Sequence, residues 1–229
     1  MKRREDIKIL VACETSGTVR DAFYWAGFDA WSCDVLPSDT PSNRHLQCDV
    51  REALKLDAWD VLMVAHPPCT RLCNSGVRWL TEAPAGRTLE DMWAELDEGS
   101  ALFRSMLDAD VPQIAVENPV MHRHAKARIW GEDWASASKD DGTFRQTSVQ
   151  PYEYADDIDA DDNVSKRTCL WLKGLPALTP TSNLTRETAR HDIHNASPGP
   201  DRWKVRSKFH AGIAQAMVDQ WSQSIEAAA

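Results

Sequence analysis

This sequence lacks the features of membrane proteins and of disulfide-linked or zinc-stapled domains. No hydrophobic run is long enough to cross a bilayer, and the N-terminal residues Met-Lys-Arg-Arg-Glu-Asp contain no apolar signal-peptide core. The six cysteines are scattered without a C-x-x-C pair. His191 and His194 form an H-x-x-H pair without further ligands, so no metal site is expected. We therefore expect a cytoplasmic protein with reduced thiols.

The chain also lacks an excess of positive charge. Its net charge of −9 argues against a protein that wraps nucleic acid in a basic surface. Any nucleic-acid site must then be a local patch on an acidic body. The concentrated basic residues are Arg202, Lys204, Arg206 and Lys208, which surround Trp203.

Hydrophobic patterning predicts an α/β fold in which short apolar strands alternate with amphipathic helices. The expected strands are residues 7–13, 28–33, 59–64, 113–116 and 168–172. The expected helices are residues 19–26, 89–108 and 207–225, with a further short helix after Asp49. The length of 229 residues suits one domain with a sizeable core. The first strand, its small-residue turn and the following helix are typical of a βαβ unit that binds a nucleotide or cofactor.

Two segments do not follow this pattern. Residues 131–165 are polar and carry an acidic run, which predicts a solvated loop or flap. Residues 174–203 form a proline-interrupted, irregular insert. We therefore predict a single domain over 1–229 in which a mostly parallel sheet is flanked by helices and carries these two appendages.

A cysteine follows the buried strand 59–64. Pro67 and Pro68 end the strand because neither can donate a backbone hydrogen bond, and Cys69 comes next. In open α/β sheets ligands bind at the carboxyl ends of the strands. Cys69 is thus a candidate nucleophile, although a half-buried cysteine in a turn explains the pattern equally well.

Acidic and amide residues follow the other strands. Asp34 ends the second strand, where such folds hold a ribose, and it is equally compatible with a solvated loop. Asp49 is either a second cofactor contact or the N-cap of the next helix. Glu117 and Asn118 follow 113–116, and Glu117 is either a site residue or an ion-paired loop residue.

Taken in chain order, these motifs resemble the series found in the DNA cytosine-C5 methyltransferases, particularly the small members that phages and prophages carry. The specific elements are Pro67-Pro68-Cys69 and Glu117-Asn118. The resemblance implies a Rossmann-like methyltransferase fold, the cofactor S-adenosyl-L-methionine (SAM), and DNA whose target cytosine is flipped out of the helix.

The resemblance also implies a role for individual residues. The implied cofactor contacts are Ala12, Cys13, Glu14, Thr15, Ser16 and Gly17 of the first turn, Asp34 on the ribose, Asp49 near the adenine, and Pro67. The implied catalytic residues are Cys69 as nucleophile, Glu117 as the acid that grips cytosine, Asn118 and Arg167. The implied substrate contacts are Pro68, Arg71, Arg202 and Lys204.

The sequence departs from that family at three places. Glu14 and Ser16 stand where the family usually has glycines, and Cys169 replaces the second arginine of a late motif. Only about 30 residues separate the last strand from the basic cluster, too few for a target-recognition domain of ordinary size. We therefore expect weak sequence specificity alone, with a protein partner supplying it. The same chemistry on a free nucleotide or single strand, or binding of SAM or DNA without catalysis, stays open.

Overall fold

A seven-stranded sheet organises the computed structural model, which describes residues 2–64, 67, 69–192 and 209–229. The strands are β1 (Lys8–Ala12), β2 (Asp29–Asp34), β3 (His45–Gln47), β4 (Val61–Val64), β5 (Gln113–Pro119), β6 (Arg145–Val149) and β7 (Thr168–Lys173). Their order is β3-β2-β1-β4-β5-β7-β6. Strands β1 to β5 pair in parallel, whereas β7 pairs antiparallel with both β5 and β6.

Helices cover both faces of the sheet. They are α1 (Thr18–Trp25), α2 (Val50–Leu56), α3 (Leu89–Leu107), α4 (Arg123–Trp130), α5 (Trp134–Ala137) and α6 (Ala211–Ala228). Short 3-10 turns lie at Arg4–Asp6, Asn74–Leu80, Gly131–Asp133 and Pro151–Tyr154. One core cluster joins the sheet to α1 and α6, and a second joins its other face to α3 and α4. The predicted α/β layering is therefore confirmed.

The strand order places the ligand crevice. The order 3-2-1-4-5 is that of a Rossmann-like, doubly wound sheet, which confirms the predicted fold class. The chain leaves β1 toward β2 on one side and later adds β4 on the other. Such a switch point opens a crevice beyond the carboxyl ends of β1 and β4, where open α/β sheets bind their ligands.

The prediction of a loop or flap over 131–165 is wrong for part of that segment. It contains the edge strand β6, which pairs along its length with the buried β7. The acidic run is also anchored, because Asp162 accepts the backbone N–H of Gly212 at 2.6 Å and so caps α6. The sequence Arg-Gln-Thr-Ser-Val shows no apolar alternation, so β6 is a strand because of its partner rather than its own pattern.

Other differences are local. The short strand β3 and the helix α4 were not expected from the sequence, and β5 continues beyond 116 to Pro119. The C-terminal helix begins at Ala211 rather than 207 in the described part of the chain. None of the described helices has the length and apolarity to cross a lipid bilayer.

Candidate active site

The register of the sheet brings the strand-end residues predicted from the sequence to one edge. Across four neighbouring strands one row of mutually paired residues is Cys33, Ala12, Val64 and Val116. The residues that follow this row on β2, β1 and β5 are Asp34, Cys13 and Glu117. Because the strands are parallel, all three lie one residue beyond the same line at the carboxyl edge. Three of the predicted site residues therefore lie at one edge of the sheet.

A buried carboxylate fills the start of α1. Glu14 is fully buried, and it accepts the backbone N–H of Val19 at 2.7 Å and of Arg20 at 3.2 Å. No carbonyl of the helix accepts these N–H groups of the first turn. In dinucleotide-binding folds the corresponding groups point at a phosphate. Burial raises the pKa of Glu14 to about 7, against the lowering effect of those hydrogen bonds. A phosphate would therefore have to displace an acid that is part of the fold.

The same turn carries backbone strain. Cys13 has φ 55°, a left-handed conformation that is uncommon for residues other than glycine. Backbone and side-chain groups then tie the turn to the loop after β2. Thr15 accepts the N–H of Asp39 at 2.9 Å and donates its hydroxyl to the Asp39 carboxylate at 3.1 Å. The turn and the loop that follows Asp34 thus form one wall of the crevice.

Gly17 is the residue of this turn that must be glycine. Its φ is +74°, and a Cβ there would lie 2.1 Å from Nη2 of Arg20. Arg20 itself is buried, and its Nη1 donates to Ser32 Oγ at 2.9 Å. The glycine lets the guanidinium pass beneath the turn, which holds α1 against β2.

Gly17→Ala is expected to destabilise the fold more than the matched control Gly86→Ala. Gly86 has a similar φ of +79° but nothing within 4 Å of its Cβ position, so it reports backbone strain alone. We expect a loss of unfolding free energy of about 1 kcal/mol for Gly86→Ala and about 3 kcal/mol for Gly17→Ala, which adds overpacking. Urea unfolding of both variants measures the difference. Equal losses would show that Arg20 moves aside freely.

The two predicted adenosine-binding acids take part in local structure. Asp34 accepts the N–H of Leu36 at 2.9 Å. Asp49 accepts the N–H of Arg51 at 2.8 Å and caps α2, as the N-cap interpretation predicted. A hydrogen bond from the Arg51 side chain lowers the pKa of Asp49. Both carboxylates are half-buried, and contact of either with a cofactor stays a prediction.

Cys69 opens a tight turn after the end of β4. Its carbonyl accepts the N–H groups of Leu72 and Cys73, both at 3.0 Å, and the 3-10 turn Asn74–Leu80 follows. Gly76 packs onto this turn so closely that a Cβ would lie 1.9 Å from the Thr70 carbonyl oxygen. This contact fixes the backbone that carries Cys69, whose side chain stays partly exposed while Cys73 is buried.

Cys69 and Cys73 shift each other's pKa. Cys73 is the largest cause of a raised Cys69 pKa, followed by burial and the nearby charge of Glu117. Cys69 in turn lowers the pKa of Cys73, which also faces the hydroxyl of Ser75 at 3.0 Å and the N–H of Gly76.

Glu117 is a buried acid beside this pair. Burial raises its pKa to about 7, while the charge of Lys166 and a hydrogen bond with Thr168 lower it. The position inside β5 explains its burial, because β5 outruns β4 and pairs onward with β7. Asn118 is fully buried and donates to the Pro119 carbonyl at 2.7 Å. Glu117 is thus not an ion-paired surface residue.

Sequence reasoning missed two members of this group. Lys166 acts electrostatically on both Glu117 and Cys69, whereas the expected cation, Arg167, has an exposed side chain. The second is Cys73, four residues after Cys69. Its spacing of four residues is the signal that could have found it, because an i, i+4 pair meets wherever the chain makes one helical turn.

Arg71 forms an ion pair with a helix of the fold. Its Nε donates to Glu95 of α3 at 2.6 Å, and its carbonyl contacts Nε2 of His122 at 2.6 Å. Its role as a substrate contact stays a prediction that this ion pair does not favour. The remaining predicted substrate contacts, Pro68, Arg202 and Lys204, lie outside the described residues, as does His194. In the described part of the chain no three His, Cys, Asp or Glu side chains converge as metal ligands.

Comparison with known proteins gives distant structural similarity only. No protein-family model and no curated protein matches the sequence. One similar solved structure is a prophage-encoded E. coli protein described as a candidate DNA modification methyltransferase, at 13% identity, a TM-score of 0.43 and 72% coverage of this chain. Another is the S. pombe Dnmt2 methyltransferase, at 10% identity, a TM-score of 0.41, 95% coverage of this chain and 67% of its own. The chain spans about half, 46%, of the prophage protein.

Proposed function

We propose that this chain transfers a methyl group from SAM to C5 of cytosine in DNA through a covalent bond between Cys69 and C6 of the base. The observation that carries the proposal is the position of the buried acid Glu117 directly after the paired residue Val116 at the carboxyl edge of the sheet, where its charge acts on Cys69. A nucleophilic sulfur and a buried acid in one crevice are what addition to a pyrimidine ring requires.

The chemistry follows from the two groups. Sulfur addition at C6 breaks the aromaticity of cytosine and makes C5 nucleophilic, while electron density moves toward N3. A protonated Glu117 can donate to N3 and accept from the exocyclic amine. Its pKa of about 7 keeps a substantial protonated fraction near neutral pH, unlike an ordinary glutamic acid. Thymine and uracil already carry a proton on N3, so the same acid favours cytosine.

The cofactor turn fits a ligand without phosphates. Glu14 already accepts the N–H groups at the start of α1, so the site offers no anion seat for a dinucleotide. SAM has a ribose and an adenine but no phosphate, and when bound it supplies an electrophilic methyl group. Asp34 would hold the ribose hydroxyls, and Asp49 would lie near the adenine. The turn formed by Cys13 and Thr15 would support the remainder.

DNA would be held by few phosphate contacts. The net charge of −9 limits the phosphate contacts to a small patch, and the basic cluster around Trp203 lies outside the described residues. Phosphate contacts position a duplex without reading its sequence. We therefore propose that a protein partner contributes to target choice.

Expression in a host that lacks cytosine methylation tests the activity. Mass spectrometry of the host's DNA nucleosides is expected to show 5-methylcytosine with the wild-type chain and none with the Cys69→Ser variant. Methylation found only in free nucleotides or only in single-stranded DNA would show that the substrate is not duplex DNA. Equal 5-methylcytosine levels with the wild-type chain and with Cys69→Ser would reject the covalent mechanism.

Calorimetry tests the cofactor site separately. We expect SAM to bind the purified chain and NAD not to bind, because Glu14 blocks a phosphate. Asp34→Ala is expected to weaken SAM binding by about tenfold, the loss of one or two hydrogen bonds to the ribose. The matched control is Asp110→Ala, an exposed carboxylate in the loop ahead of β5, at the other end of that strand from Glu117. No SAM binding at millimolar concentration would remove the methyltransferase proposal.

A further inference from the structure

Two segments beside the proposed site carry positive charge and no negative charge. They are residues 69–80, which start at Cys69, and residues 120–130, which follow Glu117 and the end of β5. Together they contain five Lys or Arg side chains and no Asp or Glu, although the whole chain has a net charge of −9. A local basic region on an acidic chain therefore lies next to the proposed site.

Backbone hydrogen bonds join the two segments. Cys73 and Met121 form an antiparallel bridge, and beside it the N–H of Asn74 donates to the Val120 carbonyl at 3.0 Å. Cys69 belongs to the same unit, because its carbonyl accepts the N–H of Cys73 at 3.0 Å. One hydrogen-bonded unit therefore carries both Cys69 and the start of α4.

Acids of α3 neutralise two of the five cations. Arg71 pairs with Glu95 at 2.6 Å, and Arg128 pairs with Asp97. The other three, here called the basic surface, are Arg78 of the 3-10 turn and Arg123 and Lys126 of α4. In the described part of the chain no carboxylate forms an ion pair with any of these three. Their charge is therefore available to a ligand.

Aromatic rings support two members of the basic surface. Cζ of Arg78 lies 4.2 Å from the ring centroid of Trp79, and Nζ of Lys126 lies 5.9 Å from that of Trp134. A cation–π contact adds no negative charge, so each cation can still attract an anion. Arg123 and Lys126 are three residues apart on α4, so they lie on the same side of that helix.

We propose that the basic surface binds the phosphate backbone of duplex DNA beside Cys69. That the anion is DNA rests on the proposed function. A duplex carries one negative charge for about every 1.7 Å of its axis, so a few neighbouring cations can meet several phosphates. The net negative charge of the chain disfavours other approaches of the duplex. Such contacts position DNA without reading its sequence, which agrees with the weak specificity expected from the sequence.

Fluorescence anisotropy of a labelled duplex, without SAM, measures this binding over a salt series from about 50 to 200 mM. Arg123→Gln and Lys126→Gln each remove one charge. We expect each variant to bind about fivefold more weakly and to lower the salt dependence by about one counterion, and the double variant by about two. The same losses are expected on duplexes of unrelated sequence, because every duplex presents the same phosphates.

Two further variants serve as controls. Arg123→Lys keeps the charge and is expected to bind nearly like the wild type. Lys55→Gln removes an exposed cation in the last turn of α2, from which the chain enters β4 at the opposite edge of the sheet. It is expected to leave binding unchanged. Thermal unfolding of each variant confirms that its binding is measured on a folded protein.

The outcomes separate the two proposals. Wild-type affinity and salt dependence in the double variant would overturn the basic surface, as would an equal loss in Lys55→Gln or a wild-type chain that does not bind duplex DNA. Tighter binding of polyglutamate or of an RNA hairpin would also overturn it, by showing that the partner is an acidic protein or RNA. Duplex binding that depends on Arg123 and Lys126, in a chain that methylates no cytosine, would support the basic surface and reject the proposed function.

Discussion

Replacing Cys69 by serine is expected to abolish both methyl transfer and covalent trapping on DNA that contains 5-fluorocytosine. The fluorine at C5 cannot leave as a proton does, so the S–C6 bond of the wild-type protein persists and joins protein to oligonucleotide. A serine hydroxyl is a far weaker nucleophile at neutral pH, and the loss should be about three orders of magnitude or more. Intact-mass measurement of the adduct and transfer of labelled methyl groups check this.

Cys169→Ser is the matched control for that experiment. Cys169 is buried in β7 opposite Asn118, with its sulfur 3.9 Å from the Ser148 hydroxyl, so it lies close to the site without taking part in the proposed bond. The control is expected to keep trapping. Trapping by Cys69→Ser at the wild-type level would reject the mechanism, and trapping by Cys73 in its place would reassign the nucleophile.

The sequence predicted the parallel strands and the edge of the sheet at which they end. Short apolar runs ending in Asp34 and Glu117 predicted both the strands and the edge at which they meet, because parallel strands bring their carboxyl ends together. The sequence could not predict a strand that forms only because a neighbouring buried strand pairs with it. The polar strand β6 exists because β7 is buried beside it, and β5 runs on to Pro119 for the same reason.

The charged groups of the site were harder to predict than its strands. Arg167 was expected on the strength of a motif, yet it is Lys166 whose charge acts on Glu117. Alternation along an extended segment gives neighbouring residues opposite directions, so an error of one position changes which side chain faces the site. Glu14 shows the same limit. It stands where the family usually has a glycine, yet its carboxylate accepts a backbone N–H group at the start of α1.

Glu14 and Glu117 share an energetic property. Both are buried acids whose pKa is raised to about 7, mainly by burial. Ionising either one in the folded protein is therefore less favourable than in the unfolded chain. The free energy that each contributes to folding is fully present below its ordinary pKa of 4.5 and is lost as the pH rises through about 7. The crevice thus lowers the stability of the fold at the pH where it would work.

Glu117→Gln is expected to lower methyl transfer and to raise stability at alkaline pH. Glutamine cannot supply a proton to N3, so activity should fall by about 100-fold or more. It resembles the protonated acid in shape and charge, so the unfolding free energy at pH 8 should rise relative to the wild type. The shift from 4.5 to about 7 sets an upper limit of about 3 kcal/mol, reduced because Lys166 loses a partner charge.

Urea unfolding at pH 4 and pH 8 separates this effect from a general change in packing. At pH 4 the wild-type acid is already protonated, so the variant should match it, and the gain should appear only as the pH rises. Glu187→Gln is the control of opposite sign, because a hydrogen bond from Thr185 lowers the pKa of that exposed acid and its loss should bring no gain at pH 8. A Glu117→Gln protein that is equally destabilised at both pH values, or that methylates like the wild type, would show that Glu117 is a packing residue rather than the acid of the site.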